Sequence, residues 1–339
     1  MIFQYLILFF FTLTCLISCN TYHNNIVLEG KTMGTVWRVI LAGIDIQQKF
    51  KLFNDIQAQL NFDEQELSTW KNNSILSRFN RFQGCQPQKI SNNIANIIAK
   101  ELYIGNKTNG ALDITIGSLV NLWGFGPINQ PKHIPSNDKI AAIKALTGLQ
   151  HLRVIYSFNE QWLQKDIPGL YVDLSSVGEG YATDHLALLL EQKGINNYLV
   201  SVGGAVLSHG MNSKNRPWRV GIQKPTDLKN LVELSVDLHG HGISTSGSYR
   251  NYYELDGKRI SHIIDPTTGR PINHNLVSVT VISNTALESD SWDTSLMVMG
   301  NKRAQLLALK EKLAVLLISK HGNGFVSWMS PQFKSFVIS

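Results

Sequence analysis

Residues 242–300 decide the fold, and they read GISTSGSYRNYYELDGKRISHIIDPTTGRPINHNLVSVTVISNTALESDSWDTSLMVMG. The small residues Ser244–Gly247 predict a turn, which leads into a strand-like run ending at His262. An apolar run over Val277–Ile282 predicts the next strand, and a helix is predicted to open at Asp290. This alternation of antiparallel-looking strands with a single helix favours one compact α+β unit or two closely joined lobes.

Two acids and a hydroxyl stand at helical spacing in this stretch. Asp290, Asp293 and Thr294 occupy positions i, i+3 and i+4, which lie on one face of an α-helix. All three side chains offer oxygen, the ligand atom that Mg²⁺ prefers. The spacing therefore predicts one wall of a phosphate-and-metal site. The helix dipole alone also favours an acid in a first turn, so this electrostatic role is the alternative for Asp290.

A histidine and an aspartate flank two isoleucines in His262-Ile263-Ile264-Asp265. Pro266 and Gly269 account for the backbone corner that follows, because each residue suits a particular position of a turn. They leave His262 unexplained. A histidine at a strand end near the metal wall can take a proton from a hydroxyl nucleophile, and a hydrogen-bonded structural histidine is the alternative.

A loop of small residues, Ser175–Gly180, lies between a predicted strand over Leu170–Leu174 and a predicted helix over Tyr181–Lys193. Backbone N–H groups at such a place are unpaired, and the helix dipole favours a negative ligand. The loop therefore fits a phosphate-binding site. It matches neither a Walker loop nor a G-x-G-x-x-G motif, so a plain tight turn is the alternative.

The remaining patterns predict further strands and helices without a linker between two clean domains. Asp45 and Ser91 are predicted helix caps, the first before an apolar face that includes Phe50 and Ile56. The other predicted elements are a strand over Lys31–Leu41, a helix over Asn137–Leu146, a strand over Asn196–Val206 broken at Gly203-Gly204, paired strands over Trp218–Ile222 and Leu231–Leu238, a helix over Lys302–Lys312, and strands over Ala314–Ser319, Gly324–Met329 and Phe336–Ile338.

Composition argues against a nucleic-acid partner. The chain has 339 residues, a hydrophobic content of 43% and a formal charge of +6. Its Lys and Arg residues are scattered and form no run, unlike those of a nucleic-acid groove. Mild attraction to an anionic membrane surface or to an anionic ligand remains open.

The first eighteen residues predict a signal peptide. Residues 2–18 are almost wholly apolar, carry no charged side chain and are short for a membrane-spanning helix. The segment ends Leu16-Ile17-Ser18-Cys19, which resembles the bacterial lipobox. We therefore expect lipidation of Cys19 and a lipid-anchored body outside the cytoplasm. No Lys or Arg lies near Met1, and an uncleaved anchor is the alternative.

The mature chain is predicted to consist of a spacer and one folded domain. Residues 20–27 predict a flexible spacer, and residues 28–339 predict the domain. Cys85 is the one cysteine of that domain, so no disulfide can form within it and no cysteine-based zinc site is possible.

Seven short motifs run through the mature chain. They are Lys31-Thr32-Met33-Gly34-Thr35; Ala111-Leu112-Asp113; Val172-Asp173-Leu174 with Gly180-Tyr181; Ser201-Val202-Gly203-Gly204; Thr245-Ser246-Gly247; His262-x-x-Asp265-Pro266-x-Thr268-Gly269-x-Pro271; and Asp290-x-x-Asp293-Thr294. Their combination and order resemble the ApbE family, whose members are FAD:protein FMN transferases and often periplasmic lipoproteins. The resemblance spans nearly the whole mature chain. It implies an α+β fold of mixed, largely antiparallel sheets flanked by helices, the T-fold-like architecture of that family.

The resemblance also implies an activity. FAD is the substrate, its pyrophosphate is split, FMN passes through a phosphoester bond to a Thr or Ser of an acceptor flavoprotein, and AMP leaves. Mg²⁺ would neutralise charge that develops at the transferred phosphorus. The implied acceptors resemble subunits of sodium-translocating NADH:quinone reductase and of Rnf-type electron-transport complexes. Those acceptors favour the periplasmic side of the inner membrane as the location.

Site residues follow from the family motifs position by position. The implied contacts with FAD are Met33, Trp70, Ala111, Leu112, Asp113, Asp173, Glu179 and Ile264. The implied metal ligands are Ser176 through its backbone carbonyl, Asp290, Asp293 and Thr294. His262 is the candidate base for the acceptor hydroxyl.

Two residues depart from the family pattern. Glu179 stands where many members carry lysine, and a carboxylate does not pair with phosphate, so Glu179 is expected to hydrogen-bond flavin or adenosine groups. Asp293 replaces a small residue, and it either binds the cation directly or supports the residues that do. Two other functions stay open: a periplasmic FAD pyrophosphatase that yields FMN and AMP, and a non-catalytic flavin-binding lipoprotein.

Overall fold

A computed structural model describes residues 25–226, 231–249 and 251–338. The predicted signal peptide, Cys19 and residues 20–24 of the predicted spacer lie outside the described residues. Within the described part of the chain, no helix is long and apolar enough to cross a membrane.

The strands are β1 (Ile26–Thr32), β2 (Thr35–Leu41), β3 (Gln88–Ile90), β4 (Leu152–Ser157), β5 (Glu160–Lys165), β6 (Tyr198–Val202), β7 (Ala205–His209), β8 (Arg219–Gln223), β9 (Val232–Asp237), β10 (Gly242–Gly247), β11 (Tyr252–Leu255), β12 (Lys258–Ser261), β13 (Ile264–Asp265), β14 (Arg270–Pro271), β15 (Leu276–Ser283), β16 (Ala314–His321) and β17 (Gly324–Met329). The α-helices are α1 (Lys49–Leu67), α2 (Ile75–Arg81), α3 (Asn92–Lys107), α4 (Gly117–Leu122), α5 (Asn137–Lys144), α6 (Gly178–Gln192), α7 (Ala286–Met299) and α8 (Asn301–Lys310).

An eight-stranded sheet with the strand order β1-β2-β6-β7-β10-β15-β16-β17 forms the centre of the fold. Every neighbouring pair is antiparallel. Because side chains alternate between the two faces of a strand, each face can bury its own apolar layer. Helices α1 and α6 cover one half of the sheet, and α7 and α8 cover β15 and β16. The antiparallel hairpin of β8 and β9 packs with β10, β15 and β16 in a separate apolar cluster.

A second core lies beside this sheet. Helix α3 packs with the small sheet of order β3-β5-β4 and with the apolar residues Val172 and Leu174. The Ser291 hydroxyl of α7 donates to the Glu101 carboxylate of α3 at 2.6 Å, which links the two cores. The predicted α+β class with largely antiparallel sheets and flanking helices is therefore confirmed.

Several predicted boundaries are wrong near the N-terminus. The predicted strand over Lys31–Leu41 is a hairpin of two strands, because Met33 and Gly34 adopt φ values of 48° and 74° and reverse the chain. Strand β1 begins at Ile26, inside the range predicted as spacer, because Ile26 pairs with Leu41 and is buried. In α1 the buried face includes Leu52, Ile56 and Leu60, whereas Phe50 is 78% exposed.

Three other predicted elements differ from the structure. Ser244–Gly247 is part of strand β10 rather than a turn, because β15 pairs with it along its whole length. The segment Leu170–Leu174 forms a single bridge between Tyr171 and Ile116 instead of a strand. The predicted strand Phe336–Ile338 is wrong: Phe336 ends a 3-10 helix over Phe333–Phe336, and Val337 forms an isolated antiparallel bridge with Val236.

Other predictions are confirmed. Ser91 caps α3 by accepting the Ile94 N–H at 3.2 Å. The predicted pairing of Trp218–Ile222 with Leu231–Leu238 is the hairpin of β8 and β9. The predicted break at Gly203-Gly204 is the turn between β6 and β7.

Candidate functional site

A cleft of about 950 Å³ opens beside β10, the first turn of α6 and the middle turns of α7. Every candidate residue of the described part of the chain lines it. The FAD candidates are Met33, Trp70, Ala111, Leu112, Asp113, Asp173, Glu179 and Ile264, the metal candidates are Ser176, Asp290, Asp293 and Thr294, and the base candidate is His262. The structure thus brings together residues that lie far apart in the chain: Met33 and Thr294 are separated by 261 positions.

Asp290 connects three elements around the cleft. One carboxylate oxygen accepts the Gly180 N–H of α6 at 2.9 Å, and the other accepts the Ser244 hydroxyl of β10 at 3.0 Å. The Gly180 N–H is one of the orphan donors of a helix N-terminus, so the carboxylate satisfies it. Burial, followed by the charge of Glu179, raises the pKa of Asp290 to about 8.

The position of Asp290 rules out the first-turn role that was its alternative. Helix α7 begins at Ala286, and Thr285 caps it by accepting the Glu288 N–H at 3.1 Å. Asp290 therefore lies one turn further along, inside the helix and partly buried beside the cleft. The predicted opening of the helix at Asp290 is wrong by one turn, because Thr285 caps the helix and Thr285-x-x-Glu288 has the residue types of a capping box.

Asp293 has an acceptor atom with no partner. Its Oδ1 accepts the Thr294 hydroxyl at 3.2 Å, while its Oδ2 is buried and has no hydrogen-bond partner within the described residues. Burial, followed by the neighbouring Asp290 charge, raises the pKa of Asp293 well above its usual range. A buried carboxylate oxygen without a donor or counter-charge is costly, so this atom fits an electropositive ligand such as a cation.

The donor set suits a hard divalent cation. Asp290, Asp293 and Thr294 offer oxygen atoms, and Ser176 lines the same cleft from the turn before α6. Among the described residues, no cluster of three His, Cys, Asp or Glu side chains stands in metal-ligand geometry. A cation here therefore needs hydroxyl, carbonyl or substrate oxygen atoms in addition to the two acids, which is the usual environment of Mg²⁺.

Glu179 has a partner within the protein. Its Oε2 accepts the Gly204 N–H at 2.7 Å, and a Cβ atom at Gly203 would lie 2.0 Å from its carboxylate carbon. Gly203 also has a φ of 55°, so glycine fits both the conformation and the close approach. Burial raises the pKa of Glu179. The side chain lines the cleft while supporting the turn between β6 and β7.

Asp113 and Asp173 shape two turns that enter the cleft. Asp113 Oδ1 accepts the N–H and the hydroxyl of Thr115 at 2.8 and 2.6 Å. Asp173 Oδ1 accepts the same two groups of Ser175 at 2.9 and 2.5 Å. Burial raises the pKa of both acids. In each acid, Oδ1 accepts both hydrogen bonds from the turn, and the residue also lines the cleft.

Trp70 lies at the rim of the cleft, and its side chain is 65% exposed.

His262 is held in a defined tautomer. Its Nδ1 lies 2.8 Å from the Asn251 carbonyl oxygen, which can only accept, so Nδ1 carries the proton and Nε2 keeps its lone pair. Burial lowers the pKa of His262, which favours the neutral ring. The Phe125 ring packs edge-on at 6.2 Å. Geometry and electrostatics therefore suit a base that works at neutral pH.

Asp265 has a structural explanation. Its two carboxylate oxygens accept the Thr267 N–H at 2.8 Å and the Thr268 hydroxyl at 3.1 Å. Its backbone carbonyl accepts the Gly269 N–H at 2.8 Å, and Gly269 has a φ of 68°. Asp265 thus fixes the corner that follows His262.

Sequence reasoning missed several contributors. Ser244 supports Asp290, the Gly204 N–H supports Glu179, and the strand Val220–Gln223 with Val206 extends the cleft. Gly204 belongs to the Ser201-Val202-Gly203-Gly204 motif, whereas Ser244, Val206 and the β8 residues belong to none of the seven motifs. They reach the site through long-range strand pairing, which local patterns do not report.

Comparison with solved structures gives the class of protein. The fold superposes on that of flavin transferase ApbE from Vibrio cholerae with a TM-score of 0.83 and 39% identity, covering 93% of this chain and 99% of that chain. It matches the apo flavinyl transferase ApbE from Pseudomonas stutzeri with the same TM-score and 33% identity, covering 93% of this chain and 97% of that chain. The chain is an enzyme of the transferase class.

Sequence comparison gives the family. The ApbE family model matches residues 33–317. Over 313 residues the chain is 63% identical to the FAD:protein FMN transferase of Salmonella typhimurium, covering 92% of this chain and 89% of that protein. A relative from Escherichia coli K12 with the same name is 62% identical over the same length and with the same coverage. The chain belongs to the ApbE family, and the non-catalytic alternative drops out.

Proposed function

We propose that this chain transfers FMN from FAD to a Thr or Ser hydroxyl of an acceptor flavoprotein, with release of AMP and dependence on Mg²⁺. One observation carries the proposal furthest. A neutral histidine with an available Nε2 lines the same cleft as buried acids, of which Asp293 has an unpartnered oxygen. A base and an oxygen-lined cation site are the two parts that phosphoryl transfer to a hydroxyl requires.

The cation would be held by Asp290, Asp293, Thr294 and the Ser176 carbonyl. Bound there, Mg²⁺ would neutralise the charge of the pyrophosphate oxygens. The chain itself prepares the acids for this role. Gly180 and Ser244 fix the Asp290 carboxylate by two hydrogen bonds, so it keeps one orientation before the substrate arrives.

The acceptor hydroxyl is activated at His262. Nε2 takes the hydroxyl proton, and the oxygen forms a bond with the phosphorus that carries riboflavin. The bond between that phosphorus and the bridging oxygen breaks, and the oxygen keeps the electron pair and leaves as part of AMP. Asn251 holds the imidazole tautomer throughout, because its carbonyl accepts the Nδ1 proton.

FAD would occupy the part of the cleft between the N-terminal hairpin and the two Asp turns. Met33 and Trp70 offer a polarisable and an aromatic surface at the rim. Ala111, Leu112 and Asp113 form one wall, Asp173 and Glu179 form another, and Ile264 lies beside His262. Several of these contacts are apolar, which suits a planar flavin.

We further propose a lipid anchor at Cys19 that holds the domain on the periplasmic side of the inner membrane. The apolar leader and its lipobox-like end support this location. Acceptors there would be flavoprotein subunits of NADH:quinone reductase or of Rnf-type electron-transport complexes.

Dependence of AMP release on the acceptor tests the function. The domain is incubated with FAD and Mg²⁺, with an acceptor domain or with the same domain carrying Val in place of its accepting Thr, and AMP is measured by chromatography. Transfer predicts rapid AMP release only when the hydroxyl is present. Equal AMP release in all samples, with free FMN, would instead show that water is the acceptor and that the protein is an FAD pyrophosphatase.

A further inference from the structure

Strand β10 has different neighbours on its two edges. β15 pairs with all of its residues. β7 pairs with Gly242 and Ile243 only, because β7 begins at Ala205, directly after the turn at Gly203-Gly204. Among the described residues, no strand pairs with the second edge of Ser244–Gly247.

The register shows which backbone groups face this open edge. The Ser248 N–H donates to a β15 carbonyl at 3.1 Å, and in an antiparallel pair alternate residues bond to the same neighbour. Ser246 and Ser244 therefore direct their backbone groups at β15. Thr245 and Gly247 direct theirs at the open edge.

The open edge lies inside the cleft. Thr245, Ser246 and Gly247 all line it. On one face of the strand, the Ser244 hydroxyl donates to Asp290 of the acid cluster. On the other face, Thr245 and Thr280 share a hydrogen bond at 2.8 Å. The edge therefore separates the acid side of the cleft from a second region.

The second region is an uncharged arm of the cleft. Its lining residues are Val206, Ile243 and Val220–Gln223 of β8. None of them is a candidate contact for FAD or the cation. The total volume of about 950 Å³ is near the upper end of the range of small-molecule sites, roughly 300–1,000 Å³, so a second substrate has room beside a nucleotide.

We propose that the acceptor polypeptide binds here as an extended strand, pairing its backbone with Thr245 and Gly247 and placing alternate side chains in the β8 arm. Four residues beyond β10, Asn251 holds the ring of His262, so a strand along this edge leads to the catalytic base. Backbone pairing gives affinity without demanding one sequence. The inference rests on the proposed function, since it names how the partner of the same site is held.

A pair of variants tests the arm. Val220 lines the cleft, whereas Val232 lies in the paired strand β9, is 58% exposed and does not line the cleft. The larger side chain of Val220→Trp would fill the arm and displace the acceptor from it. We expect this variant to raise the acceptor KM at least about tenfold, the size of effect that follows loss of a packed interface contact, and to leave the Kd for FAD unchanged. Val232→Trp is expected to change neither. An unchanged acceptor KM in Val220→Trp, or a parallel loss of FAD binding, would overturn the proposal.

Backbone methylation of the acceptor tests the pairing without altering the enzyme. Acceptor peptides with one N-methyl group at successive positions are compared by kcat/KM. An added strand predicts losses of about tenfold at every second position, because only alternate N–H groups bond to β10. Losses without this alternation would contradict strand addition. If the parent enzyme transfers no FMN to any acceptor, the proposed function itself fails, which distinguishes the two results.

Discussion

At the scale of the residue, Asp290 has a structural role that is compatible with the proposed cation site. Its two oxygens hold Gly180 of α6 and Ser244 of β10, and its charge lies close to those of Glu179 and Asp293. Clustering buried carboxylates without a counter-charge costs stability, which the raised pKa values of these acids express. A bound cation would remove that cost.

Asp290→Asn is expected to keep the fold and lose Mg²⁺-dependent turnover by at least about 100-fold, since the cation contributes several kcal/mol to such a reaction. The amide removes a buried charge, so without cation the variant should melt no lower than the parent. Addition of Mg²⁺ should raise the Tm of the parent and leave that of the variant unchanged. Full activity in Asp290→Asn, or an equal Tm shift in both proteins, would refute the metal assignment.

His262→Ala is expected to bind FAD normally and to lose transfer by about 100-fold or more, the usual contribution of a general base. His133, whose side chain is 86% exposed, provides the control, and His133→Ala should transfer at the parental rate. Fluorescence titration of FAD and single-turnover transfer are the measurements. Parental transfer by His262→Ala would place the base elsewhere.

The pH dependence of transfer follows from the same residue. The neutral ring is the active form, so the rate falls as pH falls through the pKa of His262. Burial lowers that pKa below the ordinary histidine value of 6.5, and the acidic limb of the rate profile at saturating Mg²⁺ should therefore lie below pH 6.5. A limb above that value would contradict the neutral, buried ring.

At the level of elements, helices α6 and α7 cap each other. Asp290 of α7 accepts the Gly180 N–H near the start of α6. Asp184 of α6 accepts the N–H groups of Ala286 and Leu287 at the start of α7, at 2.7 and 2.9 Å. Because both helix starts are fixed by the opposite helix, the acids of α7 and the turn before α6 keep a constant separation.

Gly180→Ala tests this close contact. A Cβ atom at Gly180 would lie 2.6 Å from the Ala286 carbonyl oxygen, so the helices must separate. We expect a loss of unfolding free energy of about 1–3 kcal/mol, as for other overpacked sites, together with weaker Mg²⁺ binding. Gly178→Ala is the matched control, because a Cβ atom there meets nothing within 4 Å. Equal urea midpoints for the two variants would contradict the argument.

Local signals predicted some elements well and failed where the partner strand decides. Ser91 is followed by a strong apolar period, and its helix was found at the right place. Ser244–Gly247 has the composition of a turn, yet β15 draws it into the sheet. Met33-Gly34 turns the chain through positive φ values that a strand pattern does not show. Gly34 is a turn signal that the strand pattern outweighed, whereas Ser244–Gly247 has no local signal for a strand.

At the scale of the molecule, the sequence predicts which residues belong to the site but not how they are arranged in space. The oxygen spacing of Asp290, Asp293 and Thr294 pointed to a cation from one helix alone. The opposite wall and the FAD residues came from the family resemblance, and the cleft brings all of them together. Strand order places Ser244 beside Asp290 and β8 along the uncharged arm of the cleft. The local sequence does not specify this order.

The lipid anchor is a prediction for the whole protein. Cys19→Ala is expected to abolish labelling by palmitate and to release the protein from the membrane fraction. Cys15→Ala is the control, because Cys15 lies within the apolar leader and should leave labelling intact. Retained palmitate label in Cys19→Ala would place the lipid elsewhere.

The intact mass of an acceptor domain, after incubation with the enzyme, FAD and Mg²⁺, tests the central claim most directly. We predict a mass increase of one FMN group joined through phosphate, accompanied by one AMP for each group attached. An unchanged acceptor mass, whether or not AMP and free FMN accumulate, would contradict the claim that this cleft transfers flavin to protein.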